Sequence, residues 1–85
     1  MMNAYYITFR SVTPAQRGES LLRKSGYRCV LQRTPKWMQE NGCGYGLRLT
    51  TNEISDGMRL LDRAGVPYRK VYLLHPEGNT EEIRV

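Results

Sequence analysis

Two stretches of this 85-residue chain repeat one another: Leu21-Leu22-Arg23-Lys24-Ser25-Gly26 and Leu60-Leu61-Asp62-Arg63-Ala64-Gly65, each leading into a run of β-formers. Paired leucines, a basic residue in the last turn and a glycine just beyond it are the signature of a helix end. The chain therefore contains one helix-then-strand unit twice. A single domain of this length removes only about 60 to 65% of its unfolded surface from water, so the two units have to share one core.

The segment Tyr5 to Arg10 alternates, with Tyr5, Ile7 and Phe9 on one face and Tyr6, Thr8 and Arg10 on the other, as a first strand does. Thr13-Pro14-Ala15-Gln16 has the form of a capping box, with Thr13 as N-cap, proline at the first helical position and Gln three residues after the cap, which predicts a helix running to about Ser25. Tyr27 to Arg33 reads as a second strand, and residues 34–43 as the main loop. Tyr45 to Thr50 resumes the alternation, its leucines Leu47 and Leu49 marking the core side. Thr51 or Asn52 would cap a second helix carrying Ile54, Met58 and Leu61 until Gly65-Val66-Pro67, and Tyr68 to Leu74 would be the last strand. Residues 76–85 are polar and weakly periodic and read as a C-terminal tail.

The resulting order is β-α-β-β-α-β. It predicts an α+β fold, a ferredoxin-like sandwich over residues 1–75, with an antiparallel sheet and both helices on one face. The other face would be open to solvent or to a second copy in a homodimer. The fold by itself selects no function.

Thirteen Lys and Arg against eight Asp and Glu give a formal net charge of +5, which favours anionic or acidic partners. The bases are scattered, so no basic nucleic-acid tail exists. Tyr6, Arg10 and Arg48 could form an aromatic and basic platform for RNA. The repeated aromatics of an RNA-recognition strand are missing, since GYGLRL supplies Tyr45 alone. No leader and no stretch near ~20 apolar residues occurs, which predicts a cytoplasmic protein without a membrane segment.

The chemistry-bearing candidate is Cys43, bracketed by Gly42 and Gly44 in NGCGYGLRL. Glycines on both sides let the backbone approach a ligand closely and let successive N–H groups face a negative charge. An ordinary cysteine, with a pKa of about 8.5, is only ~3% thiolate at neutral pH, and a shift to about 7 would ionise roughly half. Lys36 and Arg48 are the bases whose spacing could favour the anion. The competing reading is a tight turn with an incidental small thiol. Cys29, mid-strand between Arg28 and Val30, has the setting of a buried small hydrophobe. With two cysteines fourteen residues apart and His75 as the single histidine, no zinc spacing is present and neither a cofactor nor a metal is expected. Trp37 belongs to the loop that precedes Cys43, as an anchor or a partner contact.

Given this element order, the Thr34-Pro35-Lys36 loop and then Cys43-Gly44-Tyr45-Gly46-Leu47-Arg48, residues 4 to 75 resemble a family of small bacterial proteins described as selenium/sulfur carrier-like. The resemblance implies that Cys43 holds sulfur or selenium as a persulfide or selenosulfide. It implies a carrier more than a turnover enzyme, loaded by a cysteine desulfurase-like donor and unloaded by an acceptor protein. The chain departs from sulfur-transfer carriers with Cys-Pro-x-Pro at the first helix, where it has Thr13-Pro14, and Asn41 and Gly42 stand where a small Ser or Cys is expected. From another class, the same residues fit a ferredoxin-like interaction module whose glycine-rich loop binds a small anion or a partner.

Overall fold

The computed structural model describes residues 2–35 and 44–84. Among these the order is β1 (Asn3–Thr8), α1 (Val12–Lys24), β2 (Arg28–Arg33), β3 (Tyr45–Thr51), α2 (Ile54–Arg63), β4 (Val71–Leu74) and β5 (Thr80–Ile83). The strands form one five-stranded sheet, β2-β3-β1-β4-β5, in which every neighbouring pair is antiparallel. The molecule is α+β, with two helices among the described residues.

The period-two pattern of the sequence sets the register. Ile7 lies opposite Leu47 and Val71, Tyr5 opposite Leu49 and Leu73, and Cys29 opposite Leu49. Residues directly opposite share a face, so these side chains make one apolar surface. Both helices cover it. A Cβ placed on Gly18 of α1 would stand 3.2 Å from Leu47, and one on Gly57 of α2 would stand 3.5 Å from Leu49. Ile7, Leu22, Leu47, Leu49 and Leu61 are inaccessible to solvent, and Phe9 and Val71 nearly so.

The repeated Leu-Leu…Gly segments build the same helix stop twice. Gly26 N–H donates to the Arg23 carbonyl and Tyr27 N–H to Leu22, while Gly65 N–H donates to Asp62 and Val66 N–H to Leu61. These are the paired bonds of the Schellman motif, and Gly26 (φ 93°) and Gly65 (φ 70°) supply the left-handed residue it requires.

Three expectations are corrected. The first helix begins at Val12 with Ser11 as N-cap, and no side chain caps it, so the Thr13 capping box does not form. Pro14 falls on the third helical residue, within the first turn, whose N–H groups have no intrahelical partner to lose. The second helix has Glu53 at its N-cap position, although Thr51 Oγ1 accepts from Glu53 N–H at 3.0 Å just outside it. The sheet has five strands where the pattern predicts four, because the segment read as a tail turns at Gly78 (φ 97°) and pairs β5 with β4. The hairpin closes through His75 N–H to the Asn79 carbonyl, and Ile83 packs against the core opposite Val71.

One sheet edge is bonded by the adjacent helix. On β2, Thr34 N–H points inward to Gly44 of the β3 side, so Cys29 and Leu31 turn their backbone groups outward. Arg23 Nε donates to the Cys29 carbonyl at 2.9 Å, and Glu19 Oε2 accepts from Leu31 N–H at 2.9 Å. Two side chains of α1 thus occupy groups that would otherwise template another strand.

Candidate functional site

Of the five residues singled out in the sequence, Gly44 and Arg48 fall within the described structure. Cys43, Gly42 and Lys36 lie outside the described residues, as does Trp37.

The ends of the segment that carries Cys43 are fixed by an interlocking set of groups. Thr34 N–H donates to the Gly44 carbonyl at 2.5 Å, joining the end of β2 to the start of β3. Thr34 is 4% exposed, and its hydroxyl oxygen accepts from the Tyr6 hydroxyl at 3.1 Å; that hydroxyl also lies 3.2 Å from the Gln32 carbonyl. To reach them, the Tyr6 ring lies across β3 at Gly46. A Cβ on Gly46 would come within 2.6 Å of Tyr6 Cε2 and 2.5 Å of the Ile7 carbonyl oxygen. Gly46 is therefore the one position in β3 where the absence of a side chain is required by packing. Sequence reasoning missed this bracket. An isolated glycine inside an alternating strand was its available signal, since such a residue marks close approach of another group.

Arg48 is exposed on the face away from the helices, opposite Tyr6 of β1 and Val30 of β2. β3 runs without interruption from Tyr45, so no turn at residues 44–46 carries Arg48 back toward Gly44. Four residues of strand separate the two by about 13 Å. Tyr6, a candidate stacking surface for RNA, is 3% exposed and covered. Val30, at 47%, is the exposed hydrophobic of that face.

Cys29 takes the expected core position, 3% exposed on the helix-covered side of β2. Burial pushes its thiol pKa up to about 12, with Glu19 adding in the same direction and Arg23 opposing. At neutral pH the thiolate fraction is then on the order of one part in 10⁵, which makes it a poor nucleophile. His75 stands just after β4 with Nε2 3.2 Å from Glu81 and Nδ1 3.9 Å from Glu77, a polar cluster on the surface of the β4–β5 hairpin. Among the described residues no group of three His, Cys, Asp or Glu could hold a metal ion, and no helix is long and apolar enough to cross a membrane.

The model of the family described as "Putative Se/S carrier protein-like" matches residues 4–73, most of the chain and all of it from β1 into β4. The chain belongs to that family. No curated protein and no solved structure matches it significantly.

Proposed function

We propose, from this membership of the Se/S carrier-like family, that the protein is a cytoplasmic chalcogen carrier that holds a persulfide or selenosulfide on Cys43. The observation that carries the reading is the family match across residues 4–73, a span that includes Cys43. The state of Cys29 supports it by elimination: of the chain's two cysteines, this one is buried and held as a neutral thiol. Sulfur-transfer chemistry needs an accessible thiolate.

In the loading step the Cys43 thiolate attacks the terminal sulfur of a persulfide on a cysteine desulfurase-like donor. A new sulfur–sulfur bond forms on Cys43, the donor's own sulfur–sulfur bond breaks, and the donor cysteine leaves as thiolate, so no external oxidant or reductant is consumed. An acceptor protein takes the terminal sulfur by the same exchange. Gly42 and Gly44 give the donor's active site room, and Lys36 is the base available to the anion, since the uninterrupted β3 carries Arg48 away from it. The fold reading that accompanies this proposal is a ferredoxin-like core of β1 to β4 and two helices, with β5 appended beyond β4.

Intact-mass spectrometry after incubation with a cysteine desulfurase and cysteine tests the function. A gain of about 32 Da, one sulfur atom, is expected on the native chain and on Cys29→Ala, and is lost in Cys43→Ser. An adduct that survives in Cys43→Ser but disappears in Cys29→Ala would transfer the role to the buried thiol and overturn the assignment.

A further inference from the structure

Among the described residues, side chains occupy one edge of the sheet and leave the other open. On β2 the outward groups of Cys29 and Leu31 are bonded by Arg23 and Glu19. The outward groups of β5, at the opposite edge, follow from the ladder. Thr8 N–H donates to the Lys70 carbonyl at 2.9 Å, so by alternation Tyr6 and Tyr72 are the next bonded pair of β1 and β4. Val71 and Leu73 then turn their backbone groups the other way, to Ile83 and Glu81 of β5. The N–H and C=O groups of Thr80 and Glu82 therefore point out of the sheet, and nothing among the described residues bonds them. Arg84, next along on the same side, is exposed and without an ion pair among the described residues.

We propose that β5 pairs with β5 of a second copy of this chain, antiparallel about a two-fold axis, and joins the two five-stranded sheets into one. Charge selects both the occupant and the register. Centring the axis on Glu81 sets Glu81 against its own copy, and centring it on Glu82 does the same for Glu82; like charges directly opposite are destabilising. Centring it on Thr80 brings Glu82 against Gly78, which is in the turn of the hairpin. Centring it on Ile83 sets Glu82 against Arg84 of the second copy and Arg84 against its Glu82, two pairs of opposite charge. Glu82 and Arg84 are outward residues, so each pair exchanges two backbone hydrogen bonds. Glu82 is already fixed by Lys70 Nζ at 3.6 Å, and both line one groove with Arg84. Between the charged pairs, Ile83 meets its own copy as a non-hydrogen-bonded pair, where side chains come closest. Ile83 packs half-buried against the core, so this contact carries apolar packing across the seam. With residues 82–84 overlapping, the contact is smaller than the roughly 1,200 Å² of a stable interface, and a dissociation constant of about 0.1 mM is expected. This surface is distinct from the helix-free face of the sheet, and the inference stands whether or not Cys43 carries sulfur.

Sedimentation velocity of the full chain from about 0.02 to 1 mM, a range that brackets the expected constant, tests it together with ¹⁵N amide shifts. A monomer–dimer equilibrium is expected, with concentration-dependent shifts confined to residues 80–84. Arg84→Pro removes an outward N–H that the chain's own ladder does not use, and should abolish the dimer while amide shifts elsewhere stay in place. Glu82→Lys and Arg84→Glu should each weaken self-association about tenfold, because both cross-strand pairs turn repulsive. An equimolar mixture of these two variants should associate as tightly as the native chain, since Lys at 82 of one copy then faces Glu at 84 of the other. A mixture no tighter than either variant alone would overturn the register. A chain that stays monomeric at about 1 mM would overturn the second copy as occupant and leave the edge to a strand of another protein. A dimer that survives Arg84→Pro, with shifts at Val30 and Arg48, would move the contact to the helix-free face and overturn the edge pairing.

Discussion

Replacing Gly46 by alanine should be among the most damaging single-methyl additions the described chain can receive. The new Cβ would sit 2.5 Å from the Ile7 carbonyl oxygen, 2.6 Å from Tyr6 Cε2 and 2.8 Å from Tyr6 Cζ. Contacts between carbon atoms are comfortable at about 3.5 to 4.0 Å, so the ring has to retreat by roughly 1 Å. The Ile7 carbonyl belongs to the neighbouring strand and cannot swing aside without loosening the ladder. Overpacking of this kind costs about 1 to 3 kcal/mol, and we take the upper end because backbone is involved. A displaced ring also loses the hydroxyl contact with Thr34, worth about 1 kcal/mol, while the lower entropy of unfolded alanine returns about 0.4 to 1 kcal/mol. The net expectation is a loss of about 3 kcal/mol, a large part of the stability of an 85-residue domain. Urea denaturation monitored by Trp37 fluorescence and circular dichroism measures it through a lower midpoint at unchanged slope. In a Tyr6→Ala background the same substitution should cost at least about 1 kcal/mol less, because the ring it strikes is gone. A cost under about 0.5 kcal/mol in the native background, or additivity with Tyr6→Ala, would refute the proposed packing of Tyr6 over β3.

Gly57→Ala should do the opposite and stabilise by about 0.5 to 1 kcal/mol in the same assay, since its Cβ would meet Leu49, Leu22 and Tyr27 at ordinary distances of 3.5 to 3.9 Å in mid-helix, where alanine is the better helix former. Glu19→Ala should destabilise by about 1 kcal/mol and abolish hydrogen-exchange protection at Leu31, whose outward N–H it leaves unbonded; protection that persists would mean that the carboxylate does not hold the edge. Cys29 should resist iodoacetamide at pH 8 in the folded chain and react on unfolding. Its folded pKa, about 12, lies above its unfolded value, so the stability tied to its neutral form is complete below about pH 9 and is lost as pH rises toward 12. A folded-state alkylation rate equal to that of the unfolded chain would contradict this burial.

The parts of the fold legible in the sequence were those where one local rule met no competitor. Alternation in YYITF and YGLRL placed Ile7, Leu47 and Leu49 on the covered face, and both glycine stops formed, because pattern and packing demanded the same thing. The capping box at Thr13 failed because it competed with a helix that starts closer to β1, where Ser11 already turns the chain. β5 was illegible for a different reason: TEEI carries one core side chain, and its pairing comes from backbone groups that any sequence offers to the open edge of β4. At the candidate site the sequence pointed to Cys43 through its flanking glycines. It could not reveal the Tyr6–Gly46–Thr34 bracket, since residues 28 positions apart meet there only after three strands have aligned.

The same long-range alignment explains why the Cys29 thiol is held neutral and unreactive. Cys29 is the second residue of β2, on the helix-covered face opposite Leu49, and is 3% exposed. Cys43 adjoins Gly44, and Gly44 is the residue whose carbonyl closes the end of the hairpin. The sheet end there is held by hydrogen bonds from Thr34, Tyr6 and Thr8, and cations stand on both sides of it, Arg33 of β2 at 5.3 Å over the Tyr45 ring, and Arg10, Arg69 and Lys70 toward β4.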